Sequence, residues 1–431
     1  MTHLVPTSPL QRGVWFNEQV TALGPAYTVA VTADLRGPLD VGRLARACTA
    51  LATRHPLLTA GCHNLDGLPW LAVDEHPLTL TVEPVTDGTL RGRVERATRT
   101  RFDLSAGPLA RVWWFAPAHD RGVLVLAAHH LIVDGRSKDV LLRDLADCYG
   151  HDAPATAAHP AGPDGPTDPR EPTDPGDHGE PAGPGAHRPS EDLVVAAAEY
   201  WWRNPPRPVE LPRDGGARPG DRVVRTLTPR TRTLLATAAV ALAATRFELL
   251  LTVLTCCLAP ADGPTSIALE LSTRTPAEAG RIGMYVNELP FTLPTPPAGP
   301  YAAALATVRT GLRQLYAHRT VPLAMCRPGT RPFLATAAVS VSYRRIAPGP
   351  VFPGLTTTVD WSPFNGVARN ALHVMIADGE QTRVTFQFPA STGARRRAGT
   401  LIDHVLAGLD RSLAAPESPV VRPPQEPPPW T

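Results

Sequence analysis

The sequence predicts an α/β protein made of two lobes of similar type. Three observations lead there. Strand-like and helix-like apolar spacings alternate along the chain, a stretch with hardly a large apolar residue interrupts them, and enough apolar residues stand on either side of it to build a core each. The length of 431 residues fits two or three average domains, and 43% hydrophobic residues supply real cores. The interruption, from His151 to about Pro189, is almost entirely Pro, Gly, Asp, Ala and Thr. So little apolar surface cannot offset chain entropy, so residues 151–191 are expected to be a disordered linker and residues 416–431 a disordered tail. Residues 1–150 and 192–415 are then the N-terminal and C-terminal lobes, with no clean repeat between them.

In the first lobe, Thr28–Leu35 alternates as a strand does, and Val41–Arg54 has helical spacing that ends at His55-Pro56, where proline disfavours continuation. Gly122–His129 (GVLVLAAH) is a continuous apolar run that reads as a buried strand, and Lys138–Tyr149 reads as an amphipathic helix. In the second lobe, helices are expected at Val194–Trp202, Thr231–Ala244, Phe247–Leu258 and Tyr301–Tyr316. Strands are expected near Ser266–Leu271, Ala337–Tyr343, Ala371–Ile376 and Arg383–Gln387.

Charge and composition narrow the function. A net charge of +2, from 42 basic and 40 acidic residues with no dense basic run, gives no general attraction for nucleic acid. The N-terminus has no charged region, apolar core and small-residue cleavage site of a signal peptide, and stretches such as Leu234–Ala244 fall short of the ~20 residues a membrane span needs. A soluble, cytoplasmic protein is expected. The six cysteines form no C-x-x-C pair or zinc spacing and read as small buried hydrophobes. No nucleotide fingerprint or metal-ligand pair stands out, so no bound cofactor or metal is expected.

The chemistry points to HHLIVDGRS, directly after the expected strand Gly122–His129. Strand ends and the loops beyond them commonly carry function. Consecutive side chains on a strand point to opposite faces, so only one of His129 and His130 is expected to be the working base. Asp134 invites a triad reading with His130. Gly135 is expected to permit a backbone conformation, or a close substrate approach, that a Cβ would block.

H-H-x-x-x-D-G resembles the signature of the condensation domains of nonribosomal peptide synthetases. Other segments resemble that family in order. They are SPLQRGVW (Ser8, Gln11, Trp15), RFDLSAGPLARV (Arg101–Val112), EYWW (Glu199–Trp202), ELPRD (Glu210–Asp214), STRTP (Ser272–Pro276) and RIGMYVNELPFTLP (Arg281–Pro294). The resemblance runs from Pro6 to about Asp410, without the linker. Departures are Arg136 where the family usually has an aromatic, no recognisable R-D-x-S-R-N-P, and VPLAMC as only a loose counterpart of Q-D-x-P-F.

The resemblance implies two chloramphenicol-acetyltransferase-like lobes in a V-shaped pseudodimer, with an active-site tunnel between them. It assigns catalysis to His130, a scaffold role to His129, an ion pair with Asp134 to Arg274, and a place along the tunnel to Ser137 and Asn287. Asn287 reads equally as a turn residue satisfying its own backbone. The implied reaction passes a thioester-activated acyl or aminoacyl group to an amine, with His130 either taking a proton or holding the amine and the tetrahedral intermediate. The thioester rides on a phosphopantetheine arm supplied by a carrier protein. With no adenylation or carrier domain in this sequence, that carrier is expected in trans, and the acceptor is a small amine or a second carrier-bound group. Two alternatives stay open: ester formation or CoA-dependent O-acylation in the same site, and a non-catalytic module that docks synthetase partners.

Overall fold

The structure, a computed structural model, describes residues 3–20, 24–151, 188–205, 218–258, 265–293, 299–326 and 337–420. Most of the expected linker, residues 152–187, the ELPRD segment and residues 421–431 lie outside the described residues.

The N-terminal lobe runs β1 (His3–Pro6), α1 (Pro9–Val20), β2 (Thr28–Arg36), α2 (Val41–Arg54), β3 (Gly61–Leu65), β4 (Leu68–Val73), β5 (Leu80–Pro84), α3 (Asp87–Thr98), β6 (Ala110–Ala118), β7 (Arg121–His129) and α4 (Ser137–Gly150). The C-terminal lobe continues with α5 (Glu191–Arg203), β8 (Arg218–Thr226), α6 (Pro229–Ala241), α7 (Arg246–Leu258), β9 (Thr265–Ser272), β10 (Val286–Leu293), α8 (Tyr301–Tyr316), α9 (Leu323–Cys326), β11 (Val339–Arg345), β12 (Thr356–Asp360), β13 (Val367–Ala368), β14 (Leu372–Asp378), β15 (Arg383–Pro389) and α10 (Ala394–Ala414).

Local chemistry explains several boundaries. Asp40 caps α2 by accepting from the Arg43 N–H at 2.9 Å, and Leu44, Ala47, Cys48 and Leu51 then fall on one buried face. Thr228 caps α6, whose first residue is Pro229, where the missing N–H costs nothing. The expected helix Thr231–Ala244 stops at Ala241, and Ala243 adopts a positive φ of 47° before α7 begins.

The lobes are built on two main sheets, ordered β12-β2-β7-β6-β5 and β10-β9-β11-β14-β15-β8-β13. Strand β7 reads as one apolar run because both its faces are covered. Leu124, Leu126 and Ala128 join the main N-terminal core, while Val125 packs with Ala97 of α3 and with Phe115. A separate core fills the C-terminal lobe around α7, with residues 249–257 all buried.

The lobes are not cleanly split at the linker. Strand β12 crosses from the second lobe to pair antiparallel with β2, and Ile282 and Phe352 sit in the N-terminal core. Part of the expected tail is also placed. The carbonyls of Pro416 and Ser418 accept from the N–H groups of Ala302 and Tyr301 at 3.0 Å each, satisfying donors that the first turn of α8 leaves open. Among the described residues, no single helix is long and apolar enough to cross a membrane.

Candidate active site

His129 ends β7, and His130 follows it in the turn. His129 is 2% exposed, with its ring beside Tyr27 and Phe102. Its Nδ1 accepts from the Leu131 N–H at 3.1 Å, which puts the ring proton on Nε2, 3.5 Å from Glu18 Oε1. His130 is half-buried, edge-on to Tyr27 at 6.3 Å. Its Nδ1 is buried and has no hydrogen-bond partner among the described residues. Burial lowers its pKa; Asp134 and Glu270 oppose that shift, and Arg369 adds to it. His130 is therefore neutral at pH 7.

Asp134 is 1% exposed and fully engaged. Its Oδ1 accepts from Arg274 Nη2 (2.9 Å), the Ser137 N–H (2.7 Å) and Ser137 Oγ (2.8 Å), and its Oδ2 accepts from the Tyr285 N–H (3.3 Å). None of these bonds involves His130, so the triad reading gives way to the ion pair. Burial pushes this carboxyl up, but Arg274 and the hydrogen bonds outweigh it and hold it below the usual carboxylate range. Arg274 Nη1 donates to the carbonyls of Glu278 and Arg281 at 2.7 Å each, and its guanidinium stacks on Tyr285 at 4.2 Å. The pair thus ties the loop after β7 to residues 274–285 of the other lobe.

Ser137 and Asn287 belong to the framework rather than to an open surface. Ser137 is 0% exposed, and its Oγ also accepts from the Gly283 N–H at 3.1 Å. Asn287 is 4% exposed; its Nδ2 donates to the carbonyls of Arg319 (2.8 Å) and Val321 (3.0 Å), fastening the segment after α8. Gly135 also departs from expectation. Its φ is not in the left-handed region, and a Cβ there would meet only Arg344 Cδ at 3.7 Å, so no backbone need for glycine exists.

The C-terminal sheet carries a polar face that the motif reading missed, and Glu270 on it acts on the charge of His130. In β10, β9, β11 and β14 one set of alternate residues, including Leu289, Leu269, Val341 and Val374, enters the C-terminal core. The other set carries Glu288, Glu270, Ser340, Ser342 and His373. Glu288 and Glu270 are register partners, as are Ser340 and His373. Arg369 Nη2 donates to Glu288 Oε2 at 2.8 Å and lies over the Tyr27 ring at 5.3 Å, linking this face to the histidine side. The signal that finds the face is polar residues at every second position of strands whose other positions are apolar. An open cavity of about 680 Å³ between β8 and α10 is lined by residues such as Arg222, Arg225, Arg395 and Asp403, none of them from the motifs.

Residues 1–160 match the family model "Condensation domain". Over 152 residues the chain is 35% identical to an isonitrile lipopeptide synthase of Mycobacterium tuberculosis, covering 34% of this chain and 6% of that protein. Over 147 residues it is 33% identical to tyrocidine synthase 3 of Brevibacillus parabrevis, covering 33% of this chain and 2% of that protein. The family match thus covers the first 160 residues, and the chain spans only a few per cent of the length of these relatives.

Solved structures show a likeness of fold over nearly the whole chain. The condensation domain of the monacolin K polyketide synthase MokA superposes with a TM-score of 0.77 at 16% identity, over 97% of this chain and 99% of that one. The X-domain from teicoplanin biosynthesis superposes with a TM-score of 0.72 at 20% identity, over 96% of each chain. The fold is the condensation-domain pair of chloramphenicol-acetyltransferase-like lobes. In this fold four of the quoted motifs, SPLQRGVW, HHLIVDG, STRTP and RIGMYVNELPFTLP, meet at one place. Gln11 Nε2 donates to the Leu131 carbonyl at 2.7 Å, while Ser8 and Gln11 cap α1 through Ser8 N–H to Gln11 Oε1 (2.8 Å). The first motif thus supports the loop that follows the histidines, and STRTP supplies Arg274 from the opposite lobe. Arg136 is exposed and pairs with Asp139 at 3.5 Å.

Proposed function

We propose that this chain forms amide bonds by passing an acyl or aminoacyl group from a carrier-bound thioester to an amine. The observation that carries the reading is His130: half-buried, held neutral by its surroundings, in the turn after β7, with Asp134 committed elsewhere. Its buried Nδ1 leaves Nε2 as the nitrogen available to substrate. The amine attacks the thioester carbon, Nε2 takes a proton from the attacking nitrogen, the C–S bond breaks, and the proton passes to the departing thiolate. A well-placed base of this kind contributes typically ~10²–10⁴-fold. The thioester is already activated, and holding it against the amine supplies the rest of the acceleration.

The phosphopantetheine arm comes with the carrier and is substrate here. A starter condensation domain of rhizomide synthetase, with this fold at a TM-score of 0.76, was solved in complex with C8-CoA, which supports a thioester donor. We place the protein in the cytoplasm, beside the carriers that it serves. A second reading, a docking module without catalysis, is favoured by Arg136 in place of the usual aromatic. It is also favoured by the X-domain from teicoplanin biosynthesis, which was solved in complex with OxyB.

The test loads a phosphopantetheinylated carrier with aminoacyl groups, adds a pool of amines and alcohols, and follows products by intact mass. Amide formation that falls by ~10²-fold or more in His130→Ala supports the proposal. Capture of an alcohol moves the assignment to ester synthesis. Carrier binding with no transfer by either protein supports the docking reading.

A further inference from the structure

Glu288 and Glu270 stand opposite each other on β10 and β9, where like charges repel. Glu288 has a counter-ion, since Arg369 sits 2.8 Å away. Glu270 does not. Its one ion-pair contact among the described residues is His373 Nδ1 at 3.8 Å, and burial, reinforced by Arg369, brings that ring down to about 4. The same Nδ1 lies 2.5 Å from Ser340 Oγ, so His373 is a neutral, occupied group at pH 7. The polar face therefore keeps one negative charge on a side chain 30% exposed. That charge acts on the ring of His130, whose affinity for a proton it increases against the effect of burial.

We propose that Glu270 is a specificity residue that selects acceptors carrying a second positive charge beside the amine that reacts. The reacting nitrogen must be neutral to attack, so a carboxylate near His130 gains nothing from that nitrogen in its reactive form. A distal ammonium, as in a diamine or a basic amino acid, would restore the balance that Arg369 gives Glu288. Replacing the lone carboxylate's water by such a group forms a charge-assisted hydrogen bond. The inference rests on the inter-lobe cleft being the acceptor site of the proposed reaction, and its test reads binding rather than transfer.

The His130 ring resonance, assigned by its loss in His130→Ala, is followed by NMR during titration with diaminobutane and with butylamine. The intact protein is expected to bind diaminobutane about tenfold more tightly than butylamine, the value of one hydrogen bond to a charged group. Glu270→Gln removes that preference and lowers the pKa of His130, whereas Glu270→Asp, which keeps the charge, retains the preference. Equal affinity for the two amines, no binding of either, or a preference that survives Glu270→Gln overturns the proposal. A normal preference together with no amide formation would instead sink the catalytic reading and leave the cation site standing.

Discussion

The two lobes hold the carboxylates that act on His130 on opposite principles. On the N-terminal side, the buried Asp134 accepts four hydrogen bonds and pairs with Arg274, itself held by two backbone carbonyls. On the C-terminal side, Glu270 is part-exposed and keeps a charge that no cation within ion-pair distance cancels among the described residues. A fully satisfied network fixes geometry, because removing any member strands a buried partner. A face with charge left over fixes nothing by itself and awaits a ligand. His130 feels the charge of both carboxylates.

The sharpest way to break this comparison is to damage the satisfied side. Asp134→Ala leaves Arg274 buried without its counter-ion and is expected to cost about 3–5 kcal/mol by chemical denaturation. Joining it with Arg274→Met should restore part of that loss, since no buried charge then remains. A pH series adds a sign. The carboxyl is held below its unfolded value, so the pair's contribution is present above about pH 4 and fades as pH falls through the folded pKa. Loss of activity in Asp134→Ala with stability unchanged would return this residue to a catalytic role.

Much of this arrangement is legible in the sequence, for reasons that differ by element. Strand β7 and helix α2 carry their own periodicity, and HHLIVDG marks the strand end where it lies. The Asp134–Arg274 pair spans 140 residues and came only through the order of the motifs, since no local pattern links those positions. Strand β12, Thr-Thr-Thr-Val-Asp, is a polar edge strand whose partner β2 lies some three hundred residues earlier, so nothing nearby in the chain announces it. Helix α10 has helical spacing in Ala398, Ile402, Val405 and Leu409 yet is absent from the elements read above. The Glu288, Glu270 and His373 face was hidden because its members come from three strands joined only by sheet pairing.

Two intermediate changes sharpen the contrast. Asn287→Ala removes the donor to two carbonyls on the core side of β10 and is expected to cost about 1–3 kcal/mol, with the folded fraction retaining its transfer rate. A rate loss beyond the folded fraction would mean that Asn287 shapes the cleft after all. Lys138, 8% exposed, has its pKa pulled down to about 7 by burial, with Arg344 adding to the effect. Between that value and the unfolded value near ~10.4, the unfolded chain holds a proton that the folded one has shed, so the lysine's contribution to stability rises with pH. Lys138→Met is therefore expected to raise the melting temperature most near about pH 6 and progressively less toward about pH 9. A gain that does not vary with pH would show that the lysine stays charged in the fold.

The smallest expected effect on stability is the most useful for Gly135. Because its φ is not left-handed and its nearest neighbour to an added Cβ is Arg344 Cδ at 3.7 Å, Gly135→Ala should change stability by less than about 1 kcal/mol. If the glycine keeps room for substrate beside His130, transfer falls while the melting curve stays in place, and a larger replacement such as Gly135→Val deepens the loss. If both quantities hold, the glycine of the motif serves neither backbone nor substrate here. If both fall together, the loop needs glycine for a reason that its φ and its contacts do not express.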